Sequence, residues 1–358
     1  MLHGPGRSFV LEEITLRPLA PGCVRVQLAA TGLCRSDRSV QEGFMPQPFP
    51  VVLGHEGAGV VVEVAPEVAS PSVGEHVVLT WVDACRRCFF CEHDHVELCE
   101  HAIDHAFAGP YASLDDGTEV WAGFGTGTFA EETIVPASCA IPIDPSLAFD
   151  LAALVGCAAV TGMGAVRNVA AVRAGESVAI IGAGGVGLSA IQCAADLGAS
   201  PIVAIDRVAT KLTLARACGA THAIDTSTTV DVVADVREIT AGRGVDHAIE
   251  VVGGSSTIRL AYDVARRAGT VTIVGAGRFD DDVTFGAMQL MVDAKTIRGC
   301  VYGAADPARD IPEIVRLNQD RRVDLSQLVS RQISLEDLDE AFAAMDAGEV
   351  ARSVVVFA

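Results

Sequence analysis

Four cysteines fall within one short stretch, Cys85, Cys88, Cys91 and Cys99, in the spacing C-x2-C-x2-C-x7-C. Thiolates brought this close by a single loop can surround a tetrahedral ion at ~2.3 Å, the geometry of a closed structural zinc site with no corner left for a reactant. An iron-sulfur cluster asks for a different fourth spacing, usually followed by proline, and here Glu100 follows Cys99. Arg86 and Arg87 lie inside the cluster, where their charge is expected to offset that of the thiolates. These residues argue for stability, so reaction chemistry must come from elsewhere.

Three other segments carry ligand-type side chains: Gly32-Leu33-Cys34-Arg35-Ser36-Asp37, Gly54-His55-Glu56-Gly57 and Gly156-Cys157-Ala158-Ala159-Val160-Thr161-Gly162. Two thiolates, one imidazole and a free corner would make an open zinc site able to polarise a bound oxygen. Spacing alone says little, because the segments are remote and a lone Cys or His is more often a packed core residue.

The second chemical signal is local. The apolar run Val178 to Ile181 leads into Gly182-Ala183-Gly184-Gly185-Val186-Gly187 and then the helical stretch Leu188 to Leu197. A strand, G-x-G-x-x-G, a helix and an acidic residue after the next strand form a dinucleotide-binding pattern, with Asp206 following Ile202 to Ile205. The glycines let backbone approach a pyrophosphate at the positive end of the helix. Asp206 can accept hydrogen bonds from ribose hydroxyls and would repel a 2′-phosphate, favouring NAD over NADP. Arg207 tempers that preference, since a guanidinium can hold such a phosphate.

These motifs need elements to position them, and 358 residues suit two domains. From Phe9 to Val82 short alternating runs, such as Val24, Val26 and Leu28 against Arg25 and Gln27, read as half-buried antiparallel strands of a β-rich domain. After about Ala148 apolar runs such as Val271 to Val274 alternate with helical stretches, Asp206 to Ala217 and Thr257 to Ala268 among them, as in a doubly wound parallel sheet. Helices are expected at Ile311 to Asn318 and Leu335 to Met345, and a last strand at Ser353 to Phe357.

Half the residues are hydrophobic and a fifth are charged, which excludes a disordered chain. A formal net charge of -20 makes nucleic acid and anionic membrane surfaces poor partners. Eleven cysteines without an export signal in Met1 to Leu11 speak against a disulfide scaffold and for a cytoplasmic protein. The uncharged stretch Ser177 to Ala195 has the length of a membrane span, but its four motif glycines fit a strand, a turn and a buried helix better.

Taken together, the four-cysteine cluster, the three remote segments and the glycine motif resemble the zinc-containing medium-chain alcohol dehydrogenases, over essentially the whole chain. The resemblance implies a GroES-like catalytic domain at 1-158 and 302-358, carrying both zinc sites, and a Rossmann domain at 159-301. It implies that Cys34, His55 and Cys157 bind a catalytic zinc with Glu56 behind it, that Asp37 holds the ring of His55, and that two zinc ions are present per chain. Such an ion lowers the pKa of an alcohol hydroxyl, ordinarily about 16, so that hydride can pass to the nicotinamide. Ser36 matches the family's proton-relay hydroxyl. Where many relatives continue the relay with a histidine, this sequence has Ser39, so water or Ser39 itself would have to serve. The resemblance adds Lys211 near the ribose, Arg35 and Arg352 near the pyrophosphate, and Thr161 among the cofactor contacts. Arg352 is also able to pair with Glu56.

The same resemblance puts Trp81, Phe124, a residue near Asp104 and Ala276 around the substrate. No lysine or arginine lies between Arg87 and Arg167, so an uncharged apolar or aromatic alcohol is expected rather than an anionic one. The glycine-rich, acidic stretch Phe107 to Gly127 reads as a lid or cleft border. Two other readings stand beside the dehydrogenase: a biosynthetic carbonyl reductase on the same scaffold, and a non-catalytic zinc-stabilised NAD(H) sensor, which has no use for Cys34, His55 and Cys157 together. A homodimer or homotetramer is expected, pairing through the edge of the nucleotide-domain sheet near Thr296 to Tyr302.

Overall fold

The computed structural model of the chain describes residues 1–107 and 109–357. They form two compact units, one of Met1–Ala158, Ala305–Gln319 and Val329–Ala358, the other of Ala159–Ala304 and Asp320–Leu328. The second unit thus runs past the expected end at 301 and takes back a later segment. Asn168 Nδ2 donates to the carbonyls of Gly303 and Ala304 at 3.1 and 3.2 Å, which keeps those residues with it. The segment 320–328 returns because Gln192 and the Asp324 backbone exchange hydrogen bonds of 3.0 and 2.7 Å, while Arg322 grips Asp196.

In the first unit a seven-stranded sheet is built around Cys23–Gly32, which pairs antiparallel with Glu56–Val64, Glu132–Pro136 and Ser353–Val356. Val24, Val26 and Leu28 point into the core while Gln27 is exposed, as the alternation requires, and a one-residue slip would reverse every one of them. This register sets Gly32 opposite Glu56. The stretch expected as a lid or cleft border is part of a second, four-stranded sheet, which leaves the border and not the lid: Ala112–Ser113 and Glu119–Ala122 pair with each other and with Thr15–Leu16 and Val51–Val52. Tyr111, Ala112, Val120 and Ala122 are buried there, so apolar contacts hold this stretch down; residue 108 of the expected lid lies outside the described residues.

The second unit holds a six-stranded, all-parallel sheet in the order His222–Asp225, Ile202–Asp206, Val178–Ile181, Val245–Glu250, Ala265–Ile273 and Thr296–Gly299. The strand order reverses beside Val178–Ile181, and ligands of such sheets bind at the carboxyl ends of the strands where that happens. The helix expected at Thr257 to Ala268 runs Ser255–Val264, because Ala265 already pairs with Val245 and begins the next strand.

The helical run 149–169 is long and apolar enough to cross a bilayer, with 83% of its most apolar window buried inside the fold. It is a core element, and it was not anticipated from the sequence. Ser177 to Ala195 forms the expected strand, turn and helix.

Candidate metal and nucleotide sites

The open site assembles from three elements of the first unit. Cys34 is the cap residue of the helix Arg35–Gln41, His55 immediately precedes the strand Glu56–Val64 that Glu56 opens, and Cys157 sits in a π-helical turn, Val155–Ala159. Such turns displace one residue from the regular ladder and recur at functional sites. Two glycines make the approach possible. A Cβ on Gly156 would lie 2.3 Å from the Leu79 carbonyl, and one on Gly32 would lie 2.3 Å from Glu56 Oε2.

One ligand atom from each of Cys34, His55, Glu56 and Cys157 lies within 4.8 Å of the others; Cys34, His55 and Glu56 are buried and Cys157 is half-buried. Asp37, fully buried, ties the set together: Oδ2 accepts from the Cys34 amide at 3.3 Å, while Oδ1 accepts from the Gly54 amide at 3.0 Å and faces His55 Nδ1 at 3.2 Å. With Nδ1 committed, the imidazole offers Nε2 to an ion, the arrangement by which a carboxylate fixes a ligating histidine.

The electrostatics suit a cation. Hydrogen bonding to Cys157, with Arg352 and His55 nearby, holds the Cys34 thiol well below its ordinary range despite burial. Cys157, hydrogen-bonded to Cys34 and shielded from water, is pushed up. Burial opposes a charge on His55, yet Asp37 and Cys34 raise it well above the usual imidazole value. Burial lifts Glu56 to about 7, with Arg352 pulling the other way. Glu56 Oε1 lies 3.2 Å from Arg352, and neither of its carboxylate oxygens has a hydrogen-bond partner among the described residues. Buried acceptors with no donor, beside two sulfurs and an imidazole, fit a divalent ion.

The closed cluster also forms. Cys85, Cys88, Cys91 and Cys99 place their sulfurs within 4.8 Å of one another. Cys88 and Cys99 are 3.9 Å apart, close to the ~3.8 Å edge of a tetrahedron with ~2.3 Å bonds. The amides of Cys91 and Glu100 bring the Cys88 thiol down to about 6. Arg86 makes two bonds to Asp306, at 2.6 and 2.7 Å, and its charge is also felt by the Cys91 and Cys99 thiolates, as expected.

Ser36 is half-buried with Oγ 3.8 Å from Cys34 Sγ. Ser39 Oγ donates to the Arg35 carbonyl of its own helix at 3.1 Å. Arg352 is only 5% exposed and braces the ligand set, donating to the Leu33 carbonyl and lying 3.8 Å from Cys34 Sγ. The exposed Arg35 is paired with Asp346, and with Glu42 at 3.7 Å. The Phe124 ring packs against His55 with centroids 4.6 Å apart and planes tilted by 54°, Trp81 is half-buried, and Asp104 is exposed on the helix Glu100–Ala106.

In the second unit Gly184 caps the helix Gly185–Asp196, and a Cβ there would meet nothing within 4 Å, leaving the helix start open to a ligand. A Cβ on Gly187 would lie 1.9 Å from the Gly182 carbonyl, so that glycine packs helix on strand, and Gly182 itself needs φ +102°. Val186 is half-buried and Gly185 buried in the first turn. Asp206 Oδ2 accepts from the Ala183 amide at 2.7 Å and Oδ1 from Val208 at 2.9 Å, clamping the glycine turn to the strand carrying the acid. Arg207 is exposed, Lys211 half-buried, and Thr161 buried on Val160–Gly164.

Residues 20–145 match the family described as alcohol dehydrogenase GroES-like domain, and 185–320 that described as zinc-binding dehydrogenase. An NDMA-dependent alcohol dehydrogenase of Amycolatopsis methanolica is 33% identical over 365 residues, 99% of this chain and 97% of that protein. The chain belongs to the zinc-containing medium-chain alcohol dehydrogenase family. Family membership makes it an oxidoreductase and names its folds, GroES-like and Rossmann. Solved relatives include an alcohol dehydrogenase zinc-binding domain protein from Burkholderia ambifaria, at TM-score 0.94 and 36% identity over 99% of this chain and 97% of the other. A benzyl alcohol dehydrogenase from Acinetobacter calcoaceticus follows at TM-score 0.92 and 32%, covering 99% and 98%.

Sequence reasoning missed the spacer roles of Gly32 and Gly156, although both glycines flank ligand segments. It also missed Thr126 and Thr128, buried hydroxyls behind His55 whose G-T-G-T context reads as plain loop.

Proposed function

We propose that the chain is a zinc-dependent dehydrogenase interconverting an uncharged, apolar or aromatic alcohol and its carbonyl partner with NAD(H). The convergence of Cys34, His55, Cys157 and Glu56 on one point carries this reading. A zinc ion held there supplies Lewis acidity, making a hydroxyl acidic near neutral pH. The chain's own groups do the rest. Asp37 fixes the tautomer and tilt of His55, Arg352 keeps Glu56 in place, and Ser36 Oγ is the first hydroxyl able to take a proton from the reacting centre.

Cys85, Cys88, Cys91 and Cys99 would hold a second, closed zinc. Gly182 to Gly187 would cradle the pyrophosphate and Asp206 the ribose, with Arg207, Lys211, Thr161 and Arg35 as further contacts. Arg352 braces Glu56 and is a weaker candidate for the pyrophosphate. The fully exposed edge strand Thr296–Gly299 and the bare side chains Met288, Met291 and Ile297 support pairing with a second copy. We assign the protein to the cytoplasm, with no nucleic-acid or membrane partner, from its charge and its cysteine usage.

Metal content should be about two zinc ions per chain. A panel of alcohols and carbonyls with NAD(H) and NADP(H), followed at the reduced-nicotinamide absorbance, should show turnover with benzylic or long-chain alcohols and NAD. A two-zinc sample silent with every substrate would overturn the reading.

A further inference from the structure

His55 enters its strand from Gly54, whose φ of +89° no side chain adopts easily. A Cβ there would lie 2.4 Å from Thr128 Oγ1 and 2.8 Å from the Phe129 amide, so this backbone is wedged against the segment 123–129. The same segment holds Phe124 in a left-handed conformation, φ 54° and ψ 22°, uncommon for an aromatic residue. Such backbone persists only when its surroundings over-determine it. Here the surroundings are hydroxyls. Thr126 Oγ1 lies 3.0 Å from the Gly54 carbonyl and 3.2 Å from that of Gly123, and its one proton is shared between them. Behind it, Thr133 Oγ1 donates to the Thr126 carbonyl at 2.5 Å, and Thr31 and Thr128 pair at 2.6 Å. All four threonines are no more than 1% exposed.

We infer that Thr126 is a positioning residue whose shared hydroxyl holds the Gly54 backbone and the Phe124 turn at the spacing that packs the tilted Phe124 ring against His55. Retention of a metal by His55 and the fit of a bulky alcohol against Phe124 then depend on one buried threonine that touches neither. The inference rests on the dehydrogenase reading for its substrate half only; the metal half needs no turnover.

Both carbonyls keep a backbone donor without the hydroxyl. Gly54 accepts from the Thr128 amide at 3.0 Å, and Gly123 from those of Thr126 and Gly127 at 3.0 and 3.1 Å. Thr126→Val therefore removes the clamp without orphaning a buried acceptor, and it nearly conserves volume. Changes behind a metal ligand alter affinity ~10–100-fold, and Thr126 acts one bond further back, so ~5–10-fold is expected. T126V should release zinc from the open site to a chromophoric chelator ~5–10-fold faster than wild type. It should also lower kcat/KM for benzyl alcohol relative to ethanol by a similar factor. Thr126→Ser, which restores the hydroxyl, should bring both within about twofold.

Zinc release at the wild-type rate in T126V would overturn the inference, as would T126S behaving like T126V, which would make the methyl group responsible. If T126V does not fold, Thr126→Ala carries the same expectations. Wild-type protein that holds two zinc ions but turns over no alcohol would sink the dehydrogenase reading while the release rates still decide the clamp.

Discussion

Replacing Arg352 by Met tests how the ligand set is held together. Arg352 and Glu56 are both buried, 3.2 Å apart, and the guanidinium also serves the Leu33 carbonyl and stands beside Cys34. Removing one partner of a buried ion pair costs about 3–5 kcal/mol. Glu56 already stands near 7 with Arg352 in place, so without it the carboxyl can protonate, which keeps the cost near the lower end, about 3 kcal/mol. In a unit of roughly 200 residues that corresponds to an apparent midpoint lowered by about 6–12 °C. The sign with pH follows from linkage. Glu56 has a folded pKa above its unfolded one, so the folded state binds the extra proton and stability falls as pH rises from about 4.5 through the folded value. In R352M that folded value moves higher still, and the penalty should grow from pH 6 to pH 8. Thermal unfolding followed by circular dichroism at both pH values, on samples of equal zinc content, measures it. Glu56→Gln in the same background should recover at least ~1 kcal/mol, as coupled neighbours do. A midpoint within about 2 °C of wild type at pH 8, or the same drop at both pH values, would refute the reasoning.

Gly187→Ala should weaken NADH binding by at least ~10-fold in a fluorescence titration, because its Cβ would lie 1.9 Å from the Gly182 carbonyl and force the helix off the strand; unchanged affinity would mean that the glycine turn is not the nucleotide site. Burial would raise Asp246, but hydrogen bonds from Ser177 and the Arg266 guanidinium hold it at about 2. Its stabilising contribution is thus complete above the unfolded value of about 3.9 and is lost as pH falls through about 2. Asp246→Asn should flatten the acid limb of the stability curve between those values, and an unaltered limb would show that the carboxylate contributes nothing.

The parts of the site written locally were legible in the sequence. Strand, glycine turn, helix and Asp206 lie within thirty residues, so their pattern could be read from spacing, although the bond from the Ala183 amide to Asp206 could not. Cys34, His55 and Cys157 could be grouped only through family resemblance, since nothing in the spacing of remote segments says that Gly156 lets a helix approach Leu79. Of the two places open to Arg352, the pair with Glu56 is the one that forms, because a strand at the far end of the chain pairs with Cys23–Gly32. Arg86 does interact with the cluster thiolates, but its second partner, Asp306, lies 220 residues away and could not be read from the sequence. The stretch 107–127 read as a lid or cleft border because its glycines and acids mask Tyr111, Val120 and Ala122, which bury it in a sheet. The run 149–169 escaped notice because glycines and valines blur its period, and its helix is set by burial.

The four sulfurs around Cys88 and Cys99 carry a consequence for handling the protein. The sulfurs of Cys88 and Cys99 are held 3.9 Å apart, and Cys85 and Cys91 are half-exposed to dissolved oxygen. Stripping zinc in air would therefore oxidise the loop, and a step that looks like reversible chelation would end in covalent cross-links. Reloading should succeed from protein demetallated under a thiol reductant and fail from protein demetallated without one, so an inactive preparation records its oxidation history as much as its metal content.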